Sequence, residues 1–98
     1  MTGSDWQPPQ PGQAAREFHA NAVNVVTANL VEVRDQLLVI HARGRALEEQ
    51  VFSVVGKSSI QAAQDAVTLV GLATKRVDEA AGAYELTIRR LAEYLALF

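Results

Sequence analysis

With 98 residues the chain is one domain at most. A net charge of -2 with 20% charged residues leaves no basic footprint for nucleic acid. The absence of Cys excludes a disulfide framework and thiolate chemistry, and the 49% hydrophobic content exceeds what one helix–helix seam can bury.

Residues 1–13 read as a disordered, proline-rich tail. Pro8, Pro9 and Pro11 with Gly3 and Gly12 favour extended backbone over regular structure. Trp6, the one tryptophan, lies in this tail. It reads as a passenger of a mobile end or as an anchor for a partner or for the bundle. The first residues lack the basic region and apolar core of a cleaved signal peptide. The longest uncharged helix-like run, Phe18 to Val31, is too short and too rich in Asn to span a bilayer.

From about Gln13 to Val55 the pattern predicts one uninterrupted helix. Val23, Val26, Leu30, Val33, Leu37, Ile40, Gly44, Leu47, Val51 and Val54 recur at alternating spacings of three and four. Such a repeat holds one stripe of a helix against a partner. Phe18, Val25, Val31, Leu38, Val39 and Phe52 recur on the side away from that stripe. Polar stripes separate the two faces, with Thr27, Arg34, His41 and Glu48 forming one of them. A helix apolar on two opposite faces is normally sandwiched. The outer six residues are therefore the predicted partner interface.

Val54-Val55-Gly56-Lys57-Ser58-Ser59 reads as the turn, with Val54, Gly56 and Ser58 as its key positions. Gly56 suits a left-handed C-terminal cap, and Ser58 with Gln61 reads as a capping box. Gly56-Lys57-Ser58 also resembles the end of a phosphate-binding loop. Val51 stands where that motif requires glycine, so the turn reading prevails.

A second helix is predicted from about Ser59 to Phe98. Its stripe runs Ile60, Ala63, Val67, Val70, Thr74, Val77, Ala81, Tyr84, Ile88, Leu91, Leu95 and Phe98, with Ala66, Ala73 and Ala80 beside it. Glu85 and Arg89 stand four apart and support the helix modestly. Folding back at Lys57 sets Gly44 opposite Val70, and these two are the predicted hairpin-packing residues. Gly44 then serves close packing, and a larger side chain there overpacks the seam.

The fold class is thus all-α: two long antiparallel helices over residues 14–98 forming a hairpin, which pairs into a four-helix bundle or larger helical assembly. No catalytic, cofactor-binding or metal-ligating set is expected. His19 and His41 have no Glu-x-x-His neighbours, and Glu48-Glu49 and Asp78-Glu79 splay apart on a helix.

A cysteine-free hairpin of this length resembles the WxG family of small ESX-like proteins exported by type VII secretion systems. The resemblance covers Ala14 to Phe98. Val54-Val55-Gly56 stands where the family carries Trp-x-Gly at the turn, keeping the Gly and replacing the Trp by Val. The family's export signal is a Tyr followed four residues later by an acid. Tyr84 is followed there by Ile88 and Tyr94 by Phe98, so the signal is absent. In the family one member of a pair can travel with its partner. The resemblance therefore implies a homodimer or a heterodimer with a related hairpin, secreted or co-secreted. The alternative is a cytoplasmic structural or adaptor subunit that oligomerises through the outer face of the first helix.

Overall fold

The computed structural model describes residues 11–97. They form an all-α hairpin of two helices, α1 (Pro11–Val55) and α2 (Gln61–Leu95). Of the expected tail, residues 1–10, with Trp6, lie outside the described residues. α1 begins inside the tail's expected span, at Pro11. Proline suits a first helical position, because its fixed φ matches the helix and its missing N–H would be unpaired there anyway. α1 then runs 45 residues, roughly 70 Å, and α2 runs 35. Phe98 also lies outside the described residues, and α2 closes with Ala96 N–H on Ala92 O and Leu97 N–H on Tyr94 O, both at 3.1 Å.

The turn is built differently from the sequence expectation. No described glycine has positive φ, so Gly56 is not a left-handed cap. It continues the helical turn, its N–H donating to Phe52 O at 2.7 Å, while Ser58 N–H donates to Val55 O at 3.0 Å. Glycine is needed for space: a Cβ at Gly56 would collide with the Phe52 ring and carbonyl. Val54 is still helical. The expected capping box does not form. The residue capping α2 is Ile60, whose side chain makes no cap bond. Ser58 Oγ accepts instead from Ile60 N–H at 3.1 Å, and Gln61 Nε2 donates to Asp65 Oδ1 at 2.7 Å. Both hydrogen-bonding groups of the supposed box are thus satisfied locally, one within the turn and one along α2.

The helices meet along one narrow seam. On α2 it follows the expected stripe: Ala63, Val67, Val70, Val77, Tyr84, Ile88, Leu91 and Leu95 are half-buried, and Thr74 and Ala81 are buried. On α1 the central line also matches, with Val23, Leu30, Leu37, Gly44 and Val51 half-buried. The flank beside that line does not. Val26, Val33, Ile40, Leu47 and Val54, expected in the seam, are exposed. The half-buried flank is the supposed polar stripe: Thr27, Arg34, His41, Glu48, with Val55. α1 is rolled about its axis so that residues four after each central one, rather than three, face α2.

Close approach and charge explain the roll. A Cβ on Gly44 would stand 2.6 Å from Thr74 Oγ1 and 3.1 Å from Thr74 Cγ2, so the missing side chain lets Thr74 sit against the α1 backbone. Gly44 therefore faces Thr74, one helical turn beyond the expected Val70. A Cβ on Gly71 would likewise meet Glu48 Oε1 at 3.1 Å. The roll also brings the Arg34 guanidinium onto the Glu85 carboxylate across the seam. At the open end His19 Nε2 and Tyr94 Oη are 2.7 Å apart, their rings edge to face.

Candidate interaction surface

The rolled seam gives the hairpin two unlike faces. One is polar. Arg34 reaches Glu85 from α1, Arg89 joins the same carboxylate at 3.4 Å, and Arg45 approaches Glu48 at 4.0 Å. A shallow groove between them is lined by His41, Glu48, Gly71, Lys75 and Asp78. The hydrogen bond from Arg34 holds the Glu85 carboxyl below the usual glutamate range, against the opposing effect of partial desolvation. The same bond, with the one to Asp35, raises Arg34 further above its ordinary value. Each charged group here has an internal partner or open water, so this face needs nothing more.

The opposite face is apolar. Ile40, Gly44, Leu47, Val70, Ala73 and Val77 line a groove between the helices, and it continues towards the turn past Val51, Val54 and Ala66. One wall is a ridge of branched side chains on α1, seven residues apart: Val26, Val33, Ile40, Leu47 and Val54. They are 51%, 36%, 49%, 50% and 82% exposed, and the two lowest of these already mean an unfilled flank. The other wall is low, because Ala66, Ala73 and Ala80 recur at the same interval on α2. A high wall beside a low one leaves room for a further helix to lie in the groove.

The six outer-face residues do not form one strip. Phe18, Val25 and Val39 lie exposed on the back of α1. Leu38 stands with Arg34, Ala81 and Glu85 at the edge of the polar face, and half-buried Val31 occupies the same edge one heptad earlier. Phe52 lies beside Val67 and over Gly56, where it serves the turn. The ridge was hidden from sequence reading because its spacing suits the seam as well as the flank that displaced it. A usable signal was there: Arg34 faces Glu85 only if residues four after the central line point at α2.

Other chemistry has little to work with. Among the described residues no three His, Asp or Glu side chains gather as a metal site. In the Gly56-Lys57-Ser58 turn two of the amides a phosphate would use already donate to Phe52 O and Val55 O. No described helix is long and apolar enough to cross a membrane. No protein-family model matches the chain, and neither the curated proteins nor the solved structures yield a match.

Proposed function

We propose that this chain is a helical-hairpin interaction subunit, whose working form is a bundle completed by helices of another protein molecule. The observation that carries this is the near absence of a private core: of the described residues only Ala81 and Thr74 are buried, at 3% and 6% exposure. Compact domains of this length have a radius of gyration of roughly 13 Å, against 23.6 Å here. Beside the half-buried central line of α1 stands a second, exposed line of branched residues, Val26, Val33, Ile40, Leu47 and Val54, as in bundles where each helix has two neighbours. In this hairpin one neighbour is α2, and the apolar groove is the place for the other. The partner is a protein, either a second copy or a related hairpin. Sedimentation of the purified chain, alone and with the protein that co-purifies with it, tests the proposal. A stable assembly that dissociates when Ile40 and Leu47 become glutamate is the expected result. A well-folded monomer at tens of micromolar, with no partner, would refute it.

The hairpin outline with Gly56 kept at the turn supports a further step, export as a dimer through a type VII system. In the alternative the same surface assembles a cytoplasmic subunit. Fractionation decides: co-export puts the chain and its partner in the culture medium and loses both when the export ATPase is deleted.

A further inference from the structure

The apolar face has an uneven charge distribution. Beyond the ridge of α1, the next positions outward are Asn29, Gln36, Arg43 and Gln50; beyond the alanine wall of α2 they are Leu69, Arg76, Ala83 and Arg90. Neither rim carries Asp or Glu. Arg43 stands three residues after Ile40 and four before Leu47, and it lines the groove. Arg76 stands three after Ala73 and four before Ala80, so it borders the opposite wall. Arg90 is held by Glu93 at 2.8 Å, so its charge is already matched within α2. Arg43 and Arg76 are exposed, and neither takes part in an ion pair among the described residues. The acidic side chains lie elsewhere, on the polar face and on the backs of the helices, as with Glu32, Glu48, Asp78, Glu79 and Glu85.

We infer that the groove takes a helical partner whose apolar stripe is flanked by acidic side chains, rather than a second copy of this chain. This rests on the interaction reading above and names the partner's chemistry. If two copies met face to face, each rim would bring only arginine or a neutral side chain to the other, in any relative orientation. Like charges set against each other in this way oppose association, whereas acids on the partner would meet both walls and fix its register. The groove's shape separates this from an anionic membrane. A lipid surface favours a projecting apolar face, while here the alanine wall is recessed beneath the ridge and fits a rod of helix dimensions.

The test uses the full chain and two synthetic helical peptides of about 35 residues, the length of α2. Both carry the same leucine stripe; one is flanked by Glu and the other by Lys, so each is kept from self-pairing by its own charges. Titrations are run at about 0.05 M and about 0.5 M salt, which shortens the screening length severalfold. The Glu-flanked peptide is expected to bind at least about tenfold tighter at low salt, with the gap narrowing at high salt. Arg43→Glu with Arg76→Glu, both at exposed positions, should reverse the preference while circular dichroism stays helical. Equal affinity for the two peptides would overturn the inference, as would a tight low-salt dimer of the chain alone that Ile40→Glu with Leu47→Glu dissolves. Co-sedimentation with phosphatidylserine vesicles in place of any peptide preference would overturn it in favour of a membrane. If neither peptide nor a second copy binds the folded chain, the interaction reading fails as well, whereas equal affinity for the two peptides or a tight dimer of the chain leaves that reading standing.

Discussion

The sharpest consequence of the seam is a coupling between Gly44 and Thr74. Replacing an internal helical glycine by alanine ordinarily stabilises by about 1 kcal/mol. Here the new methyl carbon would stand 2.6 Å from Thr74 Oγ1, 3.1 Å from Cγ2 and 3.3 Å from Cβ. Thr74 cannot yield easily. It is β-branched, it is 6% exposed, and its hydroxyl donates to Val70 O at 3.0 Å. Overpacking of this kind costs roughly 1–3 kcal/mol, so Gly44→Ala should be neutral to destabilising by up to about 2 kcal/mol. Thr74→Ala removes the two nearest atoms and leaves only the Cβ contact at 3.3 Å, which a shift of a few tenths of an ångström relieves. In that background Gly44→Ala should recover its helix-propensity gain and partly fill the void. Thermal melts of the four variants at one protein concentration measure this. A coupling of roughly 1–3 kcal/mol is expected; effects additive within about 0.5 kcal/mol would mean that Gly44 does not face Thr74.

Three other outcomes follow from the same geometry. Gly56→Ala should destabilise by roughly 1–3 kcal/mol, because the Phe52 ring and carbonyl occupy the space its methyl needs; a variant that melts higher would place Gly56 in open solvent. Glu85 has a lowered pKa in the folded chain, so its contribution is present above its unfolded pKa and is lost as pH falls through the folded value. Melts from neutral to acid pH should therefore show a steeper acid limb for the parent than for Glu85→Gln, and parallel limbs would refute the cross-helix pair. Tyr94→Phe should speed hydrogen exchange of amides near Leu91 and Leu95 while changing the melting temperature little, since the His19 contact it breaks is exposed and lies at the open end; protection unchanged there would show that this contact does not hold the helix ends together.

How far the fold could be read from sequence differs between the helices. α2 carries one continuous apolar stripe, with Leu69, Leu72 and Leu86 scattered off it, so periodicity fixes the face turned to α1. α1 carries branched residues three after each central position and an Arg, a His and a Glu four after it. Periodicity alone favours the first set for the seam. What overrides it is chemistry between the helices: the glycine at 44 admits Thr74, Gly71 admits Glu48, and Arg34 needs Glu85. The turn shows the same limit. That a turn falls at Gly56 to Ser59 follows from the break in both patterns, but Gly56 was selected by a neighbouring ring rather than by backbone handedness. The surface was legible as surplus: too many apolar residues for one seam. Which of them would be left over depended on the roll of α1, and that is set by pairs of residues far apart in the chain.

A seam that, among the described residues, buries only an alanine and a threonine also governs how this molecule melts. The heat-capacity increment and the denaturant sensitivity of unfolding both scale with the surface that folding hides. A hairpin that hides so little gives up its structure over a broad interval, fraying inward from the open ends where Pro11 and Leu95 stand. Transition width is then a calorimetric gauge of occupancy along the groove: whatever lies there converts a gradual loss of helix into a cooperative step.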